Sequence, residues 1–309
     1  MPVSTATHEP AGLPHAGKPR VPRRAGRFLA LAVVGVGLLA LFYAFAVEPY
    51  SVEVVQVEVP LRGLPSTLDG LTIVHLSDPH LHLRPGVANL ARAVEIAREV
   101  NPDLVLLTGD FVSSRPADLD RGLEALSSLR ARYGVFAVLG NHDVRTDSAW
   151  VAADLSRSGI RVLRDEGVPL EIHGTRLWLL GVEDTGYVSR SLDPLRATWQ
   201  RKVETFAALL AGIPEDELRL LLVHNPDFSE ILPEGRVDLV LAGHTHGGQV
   251  RLPLLGALWI PSAFGQRFAG GLVKGERTTV YVTRGLGTIT LPVRFLCRPE
   301  ITVLRLRAG

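Results

Sequence analysis

A chain of 309 residues that is 46% hydrophobic has ample material for one large core or two small ones. Its net charge is only +1, and the basic excess sits at the start, where Lys18, Arg20, Arg23, Arg24 and Arg27 face a single acid, Glu9. The body is therefore slightly acidic, which argues against a broad nucleic-acid-binding face, and the one cysteine, Cys297, rules out an internal disulfide framework or a thiolate-rich zinc site.

In chain order, residues 1–26 carry five prolines and few large apolar side chains, and read as a disordered basic tail. Residues 27–47 are the candidate anchor. Within them Phe28–Val47, FLALAVVGVGLLALFYAFAV, runs for twenty residues without a charge. At about 1.5 Å per residue, such a helix crosses a hydrocarbon core of roughly 30 Å. It has no polar stripe, as a buried soluble helix of that length would. The basic flank before it places the N-terminus in the cytoplasm and everything after Glu48 outside. Ala44-Phe45-Ala46 offers a small-residue cleavage site that would make the segment a signal peptide instead. The length of the run favours a retained single-pass anchor.

Residues 48–309 form one α/β domain. LTIVHL (Leu71–Leu76) is an apolar, β-branched strand. Val87, Leu90, Ala91 and Val94 then recur at helical spacing up to Asn101-Pro102. LVLLTGD (Leu104–Asp110) is a second strand, Leu119, Leu123, Leu126 and Leu129 mark a helix, and Val135–Leu139 is a third strand. Arg176–Val182, Leu218–Val223, Val237–Ala242 and Thr279–Thr283 continue the strand series, with a long helix across Leu195–Ala211. No proline-, glycine- or serine-rich linker divides them.

The chemistry lies where these strands end: Ser77-Asp78-Pro79-His80, Gly109-Asp110, Gly140-Asn141-His142-Asp143, Val223-His224-Asn225 and Gly243-His244-Thr245-His246-Gly247. Side chains at the carboxyl ends of strands in an α/β sheet converge on one crevice. Glycines ahead of Asp110, Asn141 and His244 would let the backbone turn sharply there. Two carboxylates, an amide oxygen and several imidazoles, with no sulfur, suit manganese, iron or zinc. Seven donors are too many for one tetrahedral ion and about right for two ions sharing a bridge.

Asp78-x-His80, Gly109-Asp110, Gly140-Asn141-His142-Asp143, His224 and Gly243-His244-x-His246 resemble, in order and context, the motif set of the calcineurin-like metallophosphoesterases. The stretches GHTHGGQVRLP and TRGLGTITLPVRFLCRPE resemble the membrane-anchored bacterial branch of that family. The resemblance covers Leu71 to the C-terminus and implies a four-layer α/β/β/α sandwich of two mixed sheets. It implies two divalent metals (manganese, iron or zinc), with Asp78, His80 and His246 on the first, Asn141, His224 and His244 on the second, and Asp110 as the bridge. The two oxygens of a carboxylate suit it to that span. The implied reaction is attack of a metal-bridging hydroxide on a phosphomonoester, phosphodiester or pyrophosphate. His142, outside the coordination set, would stabilise the transition state or protonate the leaving oxygen. Many phosphatases of this family carry an aspartate three residues after the bridging one, as partner to that histidine; here the position is Ser113.

Outside this set the plainer reading prevails. His75 packs within its strand, and His82 is structural or supports a ligand. Asp143 caps the following helix. Cys297 reads as a small buried side chain. Arg284 and Gln249 are candidate substrate contacts, with Arg251, Arg294 and Arg298 as further phosphate clamps; solvated arginines are the alternative. An anchor sets the site beside lipid headgroups, so a lipid-linked phosphoester is the attractive substrate. The resemblance also implies the pyrophosphate of UDP-2,3-diacylglucosamine, in lipid A synthesis, although that nucleotide sugar is made on the cytoplasmic side. A non-catalytic metal-binding membrane scaffold is the contrasting class, against which the intact ligand set speaks. Nothing in the sequence points to a protein partner.

Overall fold

The computed structural model describes residues 23–275 and 277–309. The chain divides into a unit ending at Leu41 and a compact unit, Phe42–Gly309. Helix α1 (Arg23–Phe42) accounts for the described part of the first unit, and it opens the one stretch, Arg27–Tyr50, that is long and apolar enough to cross a membrane among the described residues. Most of the proline-rich tail falls outside the described residues.

The compact unit begins with β1 (Glu53–Leu61) and β2 (Thr72–Leu76), followed by α2 (Arg84–Val100), β3 (Leu104–Leu107), α3 (Leu123–Ser127) and β4 (Val135–Ala137). Helix α4 (Asn141–Arg157), β5 (Arg161–Val162), β6 (Glu166–Ile172), β7 (Thr175–Gly181), α5 (Leu192–Ala211), β8 (Leu218–Leu222) and β9 (Leu239–Ala242) come next. The chain closes with β10 (Arg251–Leu252), β11 (Gly256–Ala257), β12 (Gly271–Lys274), β13 (Thr279–Val282) and β14 (Glu300–Ala308). One six-stranded sheet has the order β1-β14-β2-β3-β4-β5, the other β12-β13-β9-β8-β7-β6, and β10–β11 is a separate hairpin. Both large sheets are mixed: β2, β3, β4 and β5 run parallel while β14 opposes β2, and β7, β8 and β9 run parallel while β6 opposes β7.

Alternation along the strands explains the layering. Leu104 and Leu106 of β3 join Leu177, Leu179, Leu220 and Leu241 in a core between the sheets. Val105 and Leu107 face the other way, onto Leu90, Val94 and Ala97 of α2 and Val151 and Leu155 of α4. Leu180, Leu221 and Val240 face outward from the second sheet onto Leu195, Trp199, Phe206 and Leu210 of α5. The result is the four-layer α/β/β/α sandwich.

One expectation changes. The helix read from Leu119 to Leu129 is a 3₁₀ turn (Pro116–Arg121) and the five-residue α3. They part at Gly122, whose Cα packs so closely on the Leu81 and Leu90 side chains that no Cβ fits without displacing them. The end of the apolar run, Tyr43–Val47, is counted with the compact unit. Ala44 there is buried and its carbonyl accepts from Arg294 N–H at 3.0 Å.

Candidate metal centre

The carboxyl ends of β2, β3, β4, β8 and β9 bring the sequence motifs together beneath a cleft of about 500 Å³. Asp78, His80, Asp110, Asn141, His224, His244 and His246 are all buried. Five of them adopt left-handed backbone, with φ of 53° at Asp78, 45° at His80, 56° at Asp110, 70° at His244 and 51° at His246. Each such residue costs on the order of 1–2 kcal/mol, so the surrounding loops must hold it, as is typical of functional sites. Of the three glycines expected to permit sharp turns, only Gly109 is itself left-handed, at φ +88°. Gly140 and Gly243 are needed for proximity instead. A Cβ on Gly140 would lie 2.2 Å from Asp110 Oδ1, and one on Gly243 would lie 2.3 Å from Asp78 Oδ2.

The donors fall into two groups around one oxygen. Asp110 Oδ2 lies 3.5 Å from His80 Nε2 and 3.1 Å from His224 Nε2. On the first side, His80 Nε2 is 3.1 Å from His246 Nε2, which is 3.3 Å from Asp78 Oδ1. On the second, His224 Nε2 is 3.1 Å from Asn141 Oδ1 and 3.2 Å from His244 Nδ1. The other Asp110 oxygen, Oδ1, accepts the His142 backbone N–H at 2.8 Å. Of the two Asp110 oxygens, Oδ2 is the one near both His80 and His224.

Lone pairs packed this tightly call for cations between them. Asp110 is held well below the usual carboxylate range, although burial alone would raise it, because His224 and His80 oppose that effect. His246 and His224 do the same for Asp78. Burial keeps His80 neutral and pushes His244 down to about 3. On His224 burial also lowers the pKa, but Asp110 outweighs it and raises the value to about 10. The His224 proton thus sits where a bound cation would replace it. Ionised Asp78 and Asp110 with neutral His80 and His244 are the states metal binding needs, and the His224 proton is one a cation would displace, so the residues fit a dinuclear centre.

Supporting contacts set which ring nitrogen faces inward. His224 Nδ1–H donates to the Thr108 carbonyl at 2.6 Å. Ser113 serves three imidazoles. Its Oγ lies 2.8 Å from His80 Nδ1 and 2.7 Å from His82 Nδ1, and its carbonyl accepts His142 Nδ1–H at 2.9 Å. The orienting role of the family's aspartate is therefore filled by backbone, which the sequence had no means of displaying. Ser113→Ala is accordingly expected to weaken metal binding by about 10–100-fold through His80 while leaving the His142 ring in place. Titrating metal into the apo variant measures this, and unchanged affinity would refute it.

His75 is buried against Thr108 Oγ1 at 2.8 Å, lowered to about 3 by burial, and takes no part in the donor groups. Asp143 caps α4: its Oδ2 accepts Gly140 N–H and its Oδ1 accepts Val112 N–H, both at 3.0 Å. Burial, followed by the charge of Asp110, raises it to about 7. Cys297 is buried, its thiol 3.3 Å from the His246 carbonyl.

The expected substrate arginine is corrected. Arg284 Nε donates to Glu300, and its terminal nitrogen donates to Glu53 Oε2 at 2.9 Å, so its charge is already matched. Arg294 is buried against the backbone carbonyls of Gly285, Gly287 and Cys297, and Arg298 donates to the Ser51 carbonyl. Gln249 does line the cleft, but both ends of its amide are engaged by the Ile289 backbone. Two groups went unread in the sequence. Arg145 is exposed at the cleft, its Nε 3.2 Å from the Asn141 carbonyl, and its position one helical turn after Asn141 was the available signal. Asp184, just past β7, is buried beside His224; burial raises it to about 6.

A four-layer sandwich with paired Asp/His donor groups at its strand ends defines a metal-dependent phosphoester hydrolase. Residues 71–248 match the model of the calcineurin-like phosphoesterases, and the chain belongs to that family, whose members use two divalent metals. An uncharacterized metallophosphoesterase, YkuE, of Bacillus subtilis is 31% identical over 86% of this chain and 89% of its own length. The phosphodiesterase YaeI of Escherichia coli is 33% identical over 76% of this chain and 81% of its own. A zebrafish (Danio rerio) transmembrane protein with a metallophosphoesterase domain is 32% identical over 91% of this chain, which spans 63% of that relative.

Proposed function

We propose that the chain is a membrane-anchored dinuclear phosphoesterase, with Asp78, His80 and His246 holding one divalent ion, Asn141, His224 and His244 the other, and Asp110 shared between them. The observation that carries this is the convergence of two donor groups on the single oxygen Asp110 Oδ2. Such a pair, when bound, supplies an acidified water as nucleophile and neutralises charge on phosphoryl oxygens. The protein's own groups orient and complete the site. The Thr108 carbonyl and Ser113 hydroxyl fix the rings of His224 and His80. His142, its Nδ1–H held by the Ser113 carbonyl, turns Nε2 to the cleft and protonates the leaving oxygen there. Arg145, exposed at the rim and held through its Nε by the Asn141 carbonyl, offers its guanidinium to a phosphate oxygen.

The name of the E. coli relative favours a phosphodiester substrate over a monoester or pyrophosphate. Elemental analysis of the full chain should find two divalent ions. Chelation should abolish hydrolysis of an aryl phosphodiester, and added manganese or zinc should restore it. Full activity with one ion or none would defeat this assignment.

In the same reading, residues 1–26 are a tail, residues 27–47 are the anchor, and residues 48–309 are the catalytic domain. The basic flank sets the N-terminus in the cytoplasm and the catalytic domain outside. The transmembrane name of the zebrafish relative supports anchoring. Reporter enzymes fused after Gly309 should be active only when the reporter works outside the cytoplasm. A fusion active only inside would reverse the orientation and bring nucleotide-sugar substrates within reach.

A further inference from the structure

The mouth of the cleft is unusually apolar for a site that handles a phosphate. Trp259, Pro261, Ile289, Leu291 and Val293 line the same cleft as Asp110, Asn141, His244 and His246 and form its apolar wall. Leu291 and Trp259 are also 55% and 51% exposed, so the wall continues onto the surface. The β10–β11 hairpin extends it. Leu254 at the hairpin tip is fully exposed, and Leu255 and Leu258 are 71% and 63% exposed. Monomeric soluble proteins seldom leave so many large apolar side chains together in water.

The connections of this collar indicate what covers it. The loop carrying Leu291 and Leu296 is bound to residues at the end of the apolar run and to Glu48 just after it. Arg294 N–H donates to the Ala44 carbonyl, Leu296 N–H donates to the buried Glu48 carboxylate at 2.9 Å, and Cys297 N–H donates to its other oxygen. Tyr43 packs edge-on against Phe295, with ring centroids 6.4 Å apart. Phe295 in turn pairs with Val250, and Arg251 N–H donates to the Phe295 carbonyl at 2.8 Å, which ties the hairpin to the same loop. The apolar helix ends at Phe42, directly before Tyr43, with no linker between it and these contacts. Tyr43, Tyr50 and Trp259 are aromatic side chains of the kind that settle at a membrane–water boundary.

We propose that the hairpin tip and the Leu291–Leu296 loop seat in the bilayer surface, and that the substrate is an amphiphilic phosphoester whose hydrocarbon part lies along the Trp259–Ile289–Val293 wall while its phosphate reaches the metals. This rests on the two-metal hydrolase reading and narrows its substrate to lipids. The bilayer is the occupant; a soluble protein partner on the same face is the outcome the test separates from it.

The test uses the full chain in phosphatidylcholine vesicles with two probes that share one reacting group, ethyl and hexadecyl p-nitrophenyl phosphate. The hexadecyl ester should be hydrolysed with at least tenfold higher kcat/KM. Leu254→Asn/Leu255→Asn, outside the cleft and with asparagine tolerant of the left-handed φ of 68° at position 254, should cut the hexadecyl rate at least fivefold and leave the ethyl rate unchanged. Absence of a chain-length preference, or equal losses on both esters, would overturn the proposal. Failure to cleave even the ethyl ester would defeat the hydrolase reading itself. Bilayer seating then has its own readout. Vesicles of brominated phosphatidylcholine should quench tryptophan fluorescence more in the wild type than in Trp259→Phe, and equal quenching would overturn the seating.

Discussion

Asp110→Asn should give a folded protein that has lost both metal ions and essentially all hydrolytic activity. The reason lies in how its two oxygens are used. Oδ1 accepts His142 N–H at 2.8 Å, and Oδ2 stands 3.1 Å from His224 Nε2 and 3.5 Å from His80 Nε2. An amide has one oxygen and one NH₂. With the NH₂ at the Oδ2 position, a donor replaces the shared acceptor and repels a cation from both groups. With the NH₂ at the Oδ1 position, it confronts the His142 N–H. Neither orientation restores the site, and the lost negative charge weakens what remains. Activity should fall by more than the roughly 10²–10³-fold that follows loss of a single transition-state donor. Elemental analysis, with circular dichroism as the fold control, checks both parts. Two ions retained per chain, or a rate near wild type, would show that Asp110 is not the bridge.

His142→Ala should separate chemistry from metal assembly. The His142 ring meets His80 edge-on, with centroids 5.0 Å apart, and holds the Ser113 carbonyl, yet neither ring nitrogen is among the converging donors. Both ions should therefore stay. If His142 protonates the leaving oxygen, kcat should fall by roughly 10²–10⁴ on alkyl esters. The loss should be much smaller on p-nitrophenyl esters, whose leaving group departs without a proton. Ser113→Ala gives the converse pattern, with weaker metal binding and His142 chemistry intact, because the Ser113 carbonyl that holds the ring is unchanged. Loss of metal from His142→Ala, or wild-type rates on both ester classes, would remove His142 from the role of proton donor.

The sequence by itself determined the strand series and the polar residues that end the strands, while the four-layer class came from the resemblance those motifs carry. These are local features: a buried parallel strand is a short apolar run, and the polar residue that ends it must emerge at the sheet's carboxyl edge. LTIVHLSDPH and LVLLTGD carry both signals within ten residues. The helix around Leu119 was misread because Gly122 is placed by contact with Leu81 and Leu90, which apolar periodicity does not encode.

Only the tertiary structure decided how those residues are used. Arg284 looked as free as any arginine until Glu53, 231 residues away in sequence, and Glu300 were found against it, while Arg145 was left open to the cleft. Ser113 looked like a missing aspartate; its hydroxyl and its carbonyl together hold the rings of His80, His82 and His142. Nothing in the sequence told the two Asp110 oxygens apart, but in the fold His142 N–H claims Oδ1. In each case the outcome depends on which long-range partner reaches a charge or lone pair first. A side chain's chemistry is written at its own position, but the partner that consumes or frees it is fixed by chain folding, which joins positions no local pattern connects.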